Sequence, residues 1–224
     1  MSSAHPPENI RPLLLGHRGA RAAKSIPENT VASFDQALSD GCDGFEFDVR
    51  LTVDEETVLC HDPKFGGLKI ERATAQQLPT LPRLRDILKR YQDSAFLDIE
   101  LKVRGLERTM VDLFLRHKPR RGFVVSSFLP GALKDLHAQD AKIPLGLICE
   151  TKTQLRLWTE VPVAYVIPHY ELVDPEFIRK VKGAGKKIMV WTVNDPGEMR
   201  RFVELGVDGI ISDETSLLCR TVTR

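Results

Sequence analysis

The regular alternation of apolar runs and amphipathic segments predicts an α/β fold, a (β/α)8 barrel of the TIM-barrel type. Strands that alternate with helices imply parallel pairing through right-handed crossovers. Eight strand–helix units can be counted in the 224 residues, and eight units close a barrel. An open doubly wound sheet is the alternative, but its glycine-rich G-x-G-x-x-G turn is missing from the sequence.

The first two units are the most clearly marked. Residues 12–19 are typical of a short buried strand that ends in a turn. A helix follows, with Asn29 or Thr30 as its N-cap and Gly41 at its end, because apolar residues recur there at helical spacing. The second strand spans residues 44–51.

The loop after the second strand and the other six units complete the barrel. We assign the apolar run at 58–60 to that loop, treat 64–80 as loop-like, and expect a helix over 82–91. Further strands are predicted at 96–101, 123–127, 145–149, 164–167, 187–193 and 209–212. Further helices are predicted at 106–117, 130–139, 153–159, 175–184 and 196–205, with a short one after Asp213.

Composition and charge limit the classes of function. The chain is 42% hydrophobic and 28% charged, which is ordinary for a globular protein with a real core. Its 32 basic and 31 acidic residues give a net charge of +1, which argues against a nucleic-acid surface. The basic stretch 118–121 is interpreted as a solvated turn. We predict one domain over residues 1–224, in which 1–11 form a loose N-terminal segment.

The spacing of the cysteines and the length of the apolar runs indicate the cellular compartment. Four scattered cysteines show neither Cys-x-x-Cys nor zinc spacing, which favours buried thiols in a reducing compartment. The first eleven residues lack the apolar core of a signal peptide, and no apolar run reaches the roughly 20 residues that span a bilayer. We therefore expect a cytoplasmic protein without stable membrane insertion, and the oligomeric state stays open.

Carboxylates on two predicted strands indicate a metal site. Glu46 and Asp48 share one face of the second strand because side chains alternate faces with a period of two. Asp98, Glu100 and Lys102 share one face of the third strand. Carboxylates from adjacent strands make an all-oxygen site that suits Mg²⁺, Ca²⁺ or Mn²⁺. The alternative is that Lys, Arg or backbone amides satisfy these acids.

Other polar residues fall at the same predicted barrel mouth. Arg18 and Lys102 would place positive charge beside the cation, an environment suited to phosphate. His17 and His61 could serve as general base and general acid on opposite sides of a phosphorus centre. Trp191 is a candidate apolar wall for the substrate, and a barrel-core role is the alternative.

Seven short motifs resemble those of the glycerophosphodiester phosphodiesterase family, in family order over nearly the whole chain. They are His17-Arg18-Gly19-Ala20, Pro27-Glu28-Asn29-Thr30, Glu46-Phe47-Asp48-Val49, His61-Asp62, Glu100-Leu101-Lys102, Ser126-Ser127-Phe128 and Trp191-Thr192-Val193-Asn194. The resemblance implies a barrel enzyme that cleaves glycerophosphodiesters into glycerol 3-phosphate and an alcohol.

The resemblance also implies roles for individual residues. It implies one divalent cation held by Glu46, Asp48 and Glu100, with the two histidines as the acid–base pair and Arg18 and Lys102 on the phosphate. Glu28 belongs to a matching motif, and we expect it to have a structural role in the first loop rather than to ligate the metal.

One departure from the family pattern bears on the substrate. The loop after the His-Asp pair usually carries a longer capping insertion, whereas residues 63–81 alone separate that pair from the next helix. The shortened insertion predicts a more open mouth. Glycerophosphodiesters are the expected substrates. A lysophospholipase D-type activity on bulkier lipids and a catalytically silent phosphate-binding barrel are the alternatives.

Overall fold

Residues 11–223 are described by a computed structural model, and they form a closed barrel of eight parallel strands. The barrel strands are β1 (Leu13–Gly16), β2 (Gly44–Leu51), β3 (Phe96–Leu101), β4 (Phe123–Ser127), β5 (Leu145–Cys149), β6 (Tyr165–Pro168), β7 (Lys187–Val190) and β8 (Gly209–Ser212). Each strand pairs with its neighbour in sequence, and β1 pairs with both β8 and β2, which closes the sheet. The predicted (β/α)8 architecture is confirmed.

Eight helices follow the eight strands. They are α1 (Val31–Ser39), α2 (Leu84–Tyr91), α3 (Glu107–Arg116), α4 (Pro130–Gln139), α5 (Lys152–Arg156), α6 (Pro175–Gly183), α7 (Pro196–Glu204) and α8 (Thr215–Val222). Thr30 is the N-cap of α1, because its side chain accepts a hydrogen bond from the backbone N–H of Ser33. Of the two predicted caps, the structure selects this one.

Two apolar layers position the strands. Inside the barrel, buried side chains such as Leu15, Val124 and Met189 pack against one another. Outside it, the rings of Phe34 on α1 and Phe45 on β2 stack with their centroids 4.1 Å apart. The alternating side chains of β2 are thereby fixed, with the aromatic residues facing the helices and the acids facing the barrel interior.

The loop between β2 and α2 contains more regular structure than the sequence indicated. Residues Thr57–Leu59 pair antiparallel with the end of β2, and Lys64–Phe65 and Leu68–Lys69 form a small hairpin. Two 3₁₀ turns follow, at Ile70–Arg72 and Ala75–Gln77. The segment 64–80, predicted to be loop-like, thus contains short regular elements that the sequence does not indicate, because two-residue strands are too short to produce a recognisable alternation.

Two other predicted elements are shorter in the structure. The helix expected over 153–159 is α5 followed by a 3₁₀ turn at Leu157–Thr159. The strand expected over 187–193 ends at Val190, and Trp191 adds only an isolated bridge to His169.

The chain termini and the thiols complete the description. Residues 1–10 of the predicted loose segment lie outside the described residues, and the guanidinium of Arg11 forms an ion pair with Asp43 at 2.7 Å. All four cysteines are free, and only Cys60 is partly exposed. None of the helices within residues 11–223 has the length and apolar character needed to cross a membrane.

Candidate active site

The pairing register of β2 and β3 assembles a cluster of carboxylates inside the barrel. Glu46 lies beside Asp98, and Asp48 lies beside Glu100, on the inward face of the two strands. One oxygen from each of Glu46, Asp48 and Glu100 lies within 4.8 Å of the other two. The structure therefore brings together the three acids that the sequence predicts as metal ligands.

The inner oxygens of this cluster have few protein partners. Glu46 Oε1 is buried and accepts no hydrogen bond, while the buried Asp48 Oδ1 and Glu100 Oε1 face only the ammonium group of Lys102. Burial and the nearby Asp48 charge raise the pKa of Glu46 well above its usual value, and they raise the pKa of Glu100 to about 7. Three buried carboxylates whose oxygens converge fit a hard divalent cation, which would add positive charge to that of the neighbouring side chains.

Asp48 is held as the charged member of the cluster. Burial alone would raise its pKa, but the charges of Lys102 and Arg18 outweigh burial and lower it. Asn29 contributes as well, because its amide donates to Asp48 Oδ2 at 2.8 Å and its carbonyl accepts from the Asp48 backbone N–H at 3.1 Å. The sequence suggested Asn29 only as a helix cap, so its role in orienting a carboxylate was missed.

Asp98 lies outside the metal-ligand set. Its Oδ1 accepts a hydrogen bond from the Ser126 hydroxyl at 2.5 Å, while burial raises its pKa to about 7. Because Asp98 is not one of the three acids whose oxygens converge and its Oδ1 already binds Ser126, it is suited to the floor of the site rather than to coordination.

Two cationic side chains lie beside the cluster. Lys102 Nζ is 2.6 Å from Glu100 Oε1 and 3.3 Å from Asp48 Oδ1. Arg18 Nε is 3.2 Å from Asp48 Oδ2, and its Nη1 donates to Glu28 Oε1 at 2.9 Å. Glu28 thus braces Arg18 in the first loop, as expected, and stays out of the metal cluster. The phosphate contacts of Arg18 and Lys102 remain a prediction.

His17 is fixed at the end of β1 by an aspartate from the other end of the chain. Its Nδ1 lies 2.7 Å from Asp213 Oδ1, and its Nε2 lies 3.8 Å from Glu46 Oε2. Asp213 follows β8, which pairs with β1 in the closed barrel. Its backbone N–H and Oδ2 both bind the side chain of Asn194. His17 is therefore held by a chain of hydrogen bonds that runs from Asn194 through Asp213.

Asp213 is a second functional residue that the sequence analysis missed. Burial would raise the pKa of its carboxyl, but the hydrogen bond and charge of His17 outweigh burial, and the pKa is lowered. Arg21 Nη1 adds positive charge at 3.2 Å. The available signal was the likeness of residues 206–213 to residues 41–48, since each segment has a glycine, then Asp-Gly, an apolar run and a final acid.

His61 lines the same cavity from the loop after β2. Its Nδ1 is 2.8 Å from Asp62 Oδ1, and Arg50 Nε donates to its backbone carbonyl at 3.0 Å. The His61 side chain is 37% exposed and that of Asp62 is 74% exposed, whereas the His17 side chain is 12% exposed. Both imidazoles line one cavity of about 560 Å³, so the structure brings the predicted histidine pair together.

The sequence model of the Glycerophosphoryl diester phosphodiesterase family matches residues 17–82 and 89–217. These segments contain every residue of the cluster and both histidines. The chain belongs to this family. The predicted family and its enzyme class, the phosphoric diester hydrolases, are confirmed.

Similar proteins support the assignment to the glycerophosphodiester phosphodiesterases over nearly the full length. A glycerophosphodiester phosphodiesterase of Caldanaerobacter subterraneus subsp. tengcongensis is 27% identical, and the alignment covers 96% of this chain and 99% of the relative. The crystal structure of the Thermotoga maritima enzyme is 26% identical, with a TM-score of 0.81, and the match covers 94% of this chain and 98% of that one.

A third similar protein carries a ligand. It is a phosphodiesterase of Oleispira antarctica, solved in complex with the product sn-glycerol-3-phosphate. It is 25% identical to this chain, with a TM-score of 0.83, and the match covers 96% of this chain and 98% of that one.

Trp191 lines the wall of the cavity in this family member. Its Nε1 donates to the backbone carbonyl of Ile167 at 3.0 Å, and its ring meets those of Phe128 and His169 edge-on, each at 5.5 Å between centroids. The ring thus lies at the boundary between the apolar barrel core and the cavity, and its contact with substrate remains a prediction.

Proposed function

We propose that this chain hydrolyses glycerophosphodiesters to sn-glycerol 3-phosphate and an alcohol, and that it requires one divalent cation. The observation that carries the proposal is the cluster of three buried carboxylates whose oxygens converge, together with two histidines that line one cavity. Family membership supports the phosphodiester chemistry, and the product bound to the Oleispira antarctica relative supports glycerol 3-phosphate as the product.

Glu46, Asp48 and Glu100 would hold the cation, with Mg²⁺ or Ca²⁺ as the expected ions and Mn²⁺ as a third choice. When bound, such an ion neutralises charge on the phosphodiester and on the developing transition state. Arg18 and Lys102 line the same cavity and would contact the remaining phosphate oxygens.

His17 is the proposed general base. The ionised carboxylate of Asp213 can only accept a hydrogen bond, so the proton of neutral His17 lies on Nδ1 and the lone pair of Nε2 is left on the side of Glu46. Nε2 would take the proton of the nucleophile, either water or the substrate's own 2-hydroxyl, as its oxygen bonds to phosphorus. Asp213 would stabilise the imidazolium that forms.

His61 is the proposed general acid. As the phosphorus–oxygen bond to the alcohol breaks, the imidazolium would give its proton to the departing alkoxide. Its position on an exposed loop supports this role, because the alcohol must leave towards solvent and the ring must regain a proton from solvent. Proton transfer of this kind contributes about 10²–10⁴-fold to the rate.

A second candidate is a lysophospholipase D-type activity. A cavity of about 450 Å³ adjoins the site and shares His61 with it, and its wall includes Leu59, Leu81 and Pro82. An apolar cavity beside the reacting groups would admit the acyl chain of a lysophospholipid.

Glycerophosphocholine and lysophosphatidylcholine hydrolysis, each with and without EDTA, tests both candidates. We expect EDTA-sensitive release of glycerol 3-phosphate from glycerophosphocholine. The Glu46→Gln variant should lose this activity, whereas Glu107→Gln should retain it, because Glu107 is also a buried acid but lies on α3 outside the cluster. Faster turnover of lysophosphatidylcholine would favour the second candidate. Hydrolysis of neither substrate would refute both candidates and favour a silent phosphate-binding barrel.

A further inference from the structure

The loop between β2 and α2 carries a small hairpin, formed by residues 64–69, beside the mouth of the active site. Its strands are joined by Gly66 and Gly67, whose φ angles of 56° and 82° suit the two central positions of a tight type I′ turn. At its base, the Ile70 backbone N–H donates to the carbonyl of Pro63 at 3.1 Å. This closure gives the hairpin a defined shape despite its length.

The pairing register gives the hairpin one apolar and one cationic side. Phe65 pairs with Leu68, and Lys64 pairs with Lys69. Directly paired residues project to the same side, and successive residues project to opposite sides. Phe65 is 39% exposed and Leu68 is 41% exposed, so the apolar side is open to solvent.

The cationic side lacks a protein counter-charge. Within residues 11–223, neither Lys64 nor Lys69 lies within 4.0 Å of a carboxylate oxygen. The acids nearest in sequence are engaged elsewhere, Asp62 with His61 and Glu71 with Arg72. Like charges directly opposite each other destabilise a hairpin, so an external anion that contacts both lysines would stabilise it.

Exposed apolar side chains concentrate on the same end of the barrel. Six large hydrophobic residues within the described residues are exposed, and five of them follow the carboxyl ends of barrel strands: Val31, Val53, Phe65, Leu68 and Leu129. The exception is Leu115, near the far end of α3. The mouth face is thus the more apolar end of the molecule.

We propose that the hairpin 64–69 docks the mouth of the barrel on an anionic lipid surface. The apolar pair would enter the headgroup boundary while the paired lysines contact anionic headgroups. A lipid surface suits the hairpin better than a folded partner does. Four side chains are far fewer than the about 20–30 residues per side of a stable protein interface, whereas shallow insertion with adjacent cations needs only a few residues.

Vesicle sedimentation tests the proposal without hydrolysis. The full chain is mixed, in EDTA, with vesicles of phosphatidylcholine alone or of phosphatidylcholine with phosphatidylserine. We expect binding to the phosphatidylserine vesicles that weakens as salt is added. Lys69→Ser should reduce binding about fivefold and Leu68→Ser about tenfold. Equal binding to both vesicle types, or no binding, would overturn the proposal.

Matched variants locate the docking surface. Leu115→Ser removes an exposed leucine from the opposite end of the barrel and should leave binding unchanged, as should Lys118→Ser. A loss in either control that equals the loss in its hairpin counterpart would refute docking through the mouth.

Thermal melting and glycerophosphocholine turnover of Leu68→Ser verify folding. Absence of turnover in the unmodified chain would refute the proposed function, whereas the vesicle result stands independently of it.

Discussion

The two histidines face one cavity from surroundings of opposite character. On the β1 side, His17 is nearly buried, and Asp213, itself held by Asn194, binds its Nδ1. On the β2 loop side, His61 Nδ1 lies 2.8 Å from Asp62 Oδ1, close to the 2.7 Å between His17 and Asp213, but Asp62 is largely exposed. An imidazole–carboxylate pair is therefore held by a neighbouring side chain at His17 and is open to solvent at His61. The difference suits a base that must be aimed and an acid that must exchange protons with solvent.

The largest expected effect separates the two roles. His17→Ala should slow hydrolysis of glycerophosphocholine by about 10²–10⁴-fold, and so should His61→Ala. With a p-nitrophenyl ester of glycerol phosphate, the leaving group needs no proton, so His61→Ala should recover most of its activity while His17→Ala should not. Steady-state kinetics on both substrates measures this. Recovery in His17→Ala alone would reverse the assignment.

An intermediate effect is expected at the carboxylates that bind the histidines. Asp213→Asn should lower kcat by about 10–100-fold with little change in KM, because the imidazole loses its orienting partner but the phosphate site is intact. Asp62→Asn is the matched control on the exposed side, and a smaller loss is expected there. Equal losses in the two variants would mean that burial of the aspartate does not distinguish the two sides.

The last prediction concerns metal affinity rather than turnover, at the carboxylate cluster beside His17. In the metal-free protein, burial raises the pKa of Glu100 to about 7 and that of Glu46 well above its usual value, so protons compete with a cation below neutral pH. Metal affinity should therefore rise from pH 5 to pH 8, by about tenfold per pH unit for each proton displaced. Calorimetry in buffers of different ionisation enthalpy measures the released protons. Affinity independent of pH would contradict the shifted pKa values.

Local patterns explain how much of the site could be predicted from the sequence. Alternation along the second and third strands places Glu46, Asp48 and Glu100 on inward faces, and eight repeated units make the two strands neighbours. The predicted barrel and the carboxylate cluster thus depend on periodicities of a few residues, which a single sequence displays directly.

Contacts created by barrel closure could not be predicted in the same way. His17 and Asp213 are 196 positions apart in the chain, and they meet because β1 pairs with β8. Asn29 has the residue type of a helix cap, yet its amide binds Asp48 while Thr30 caps the helix. When a residue type suits two roles, as it does at Asn29, the role can be assigned only after its distant partner in the fold is known.

Strand register also determines how this enzyme can change. Six consecutive pairs between β2 and β3, from Gly44 with Phe96 to Val49 with Leu101, fix where the acids converge. Deleting one residue inside β3 would turn Glu100 towards the helices, whereas lengthening the loop that carries the hairpin leaves all six pairs in place. Substrate preference can therefore diversify at the rim through insertions while the ion-binding centre is inherited unchanged.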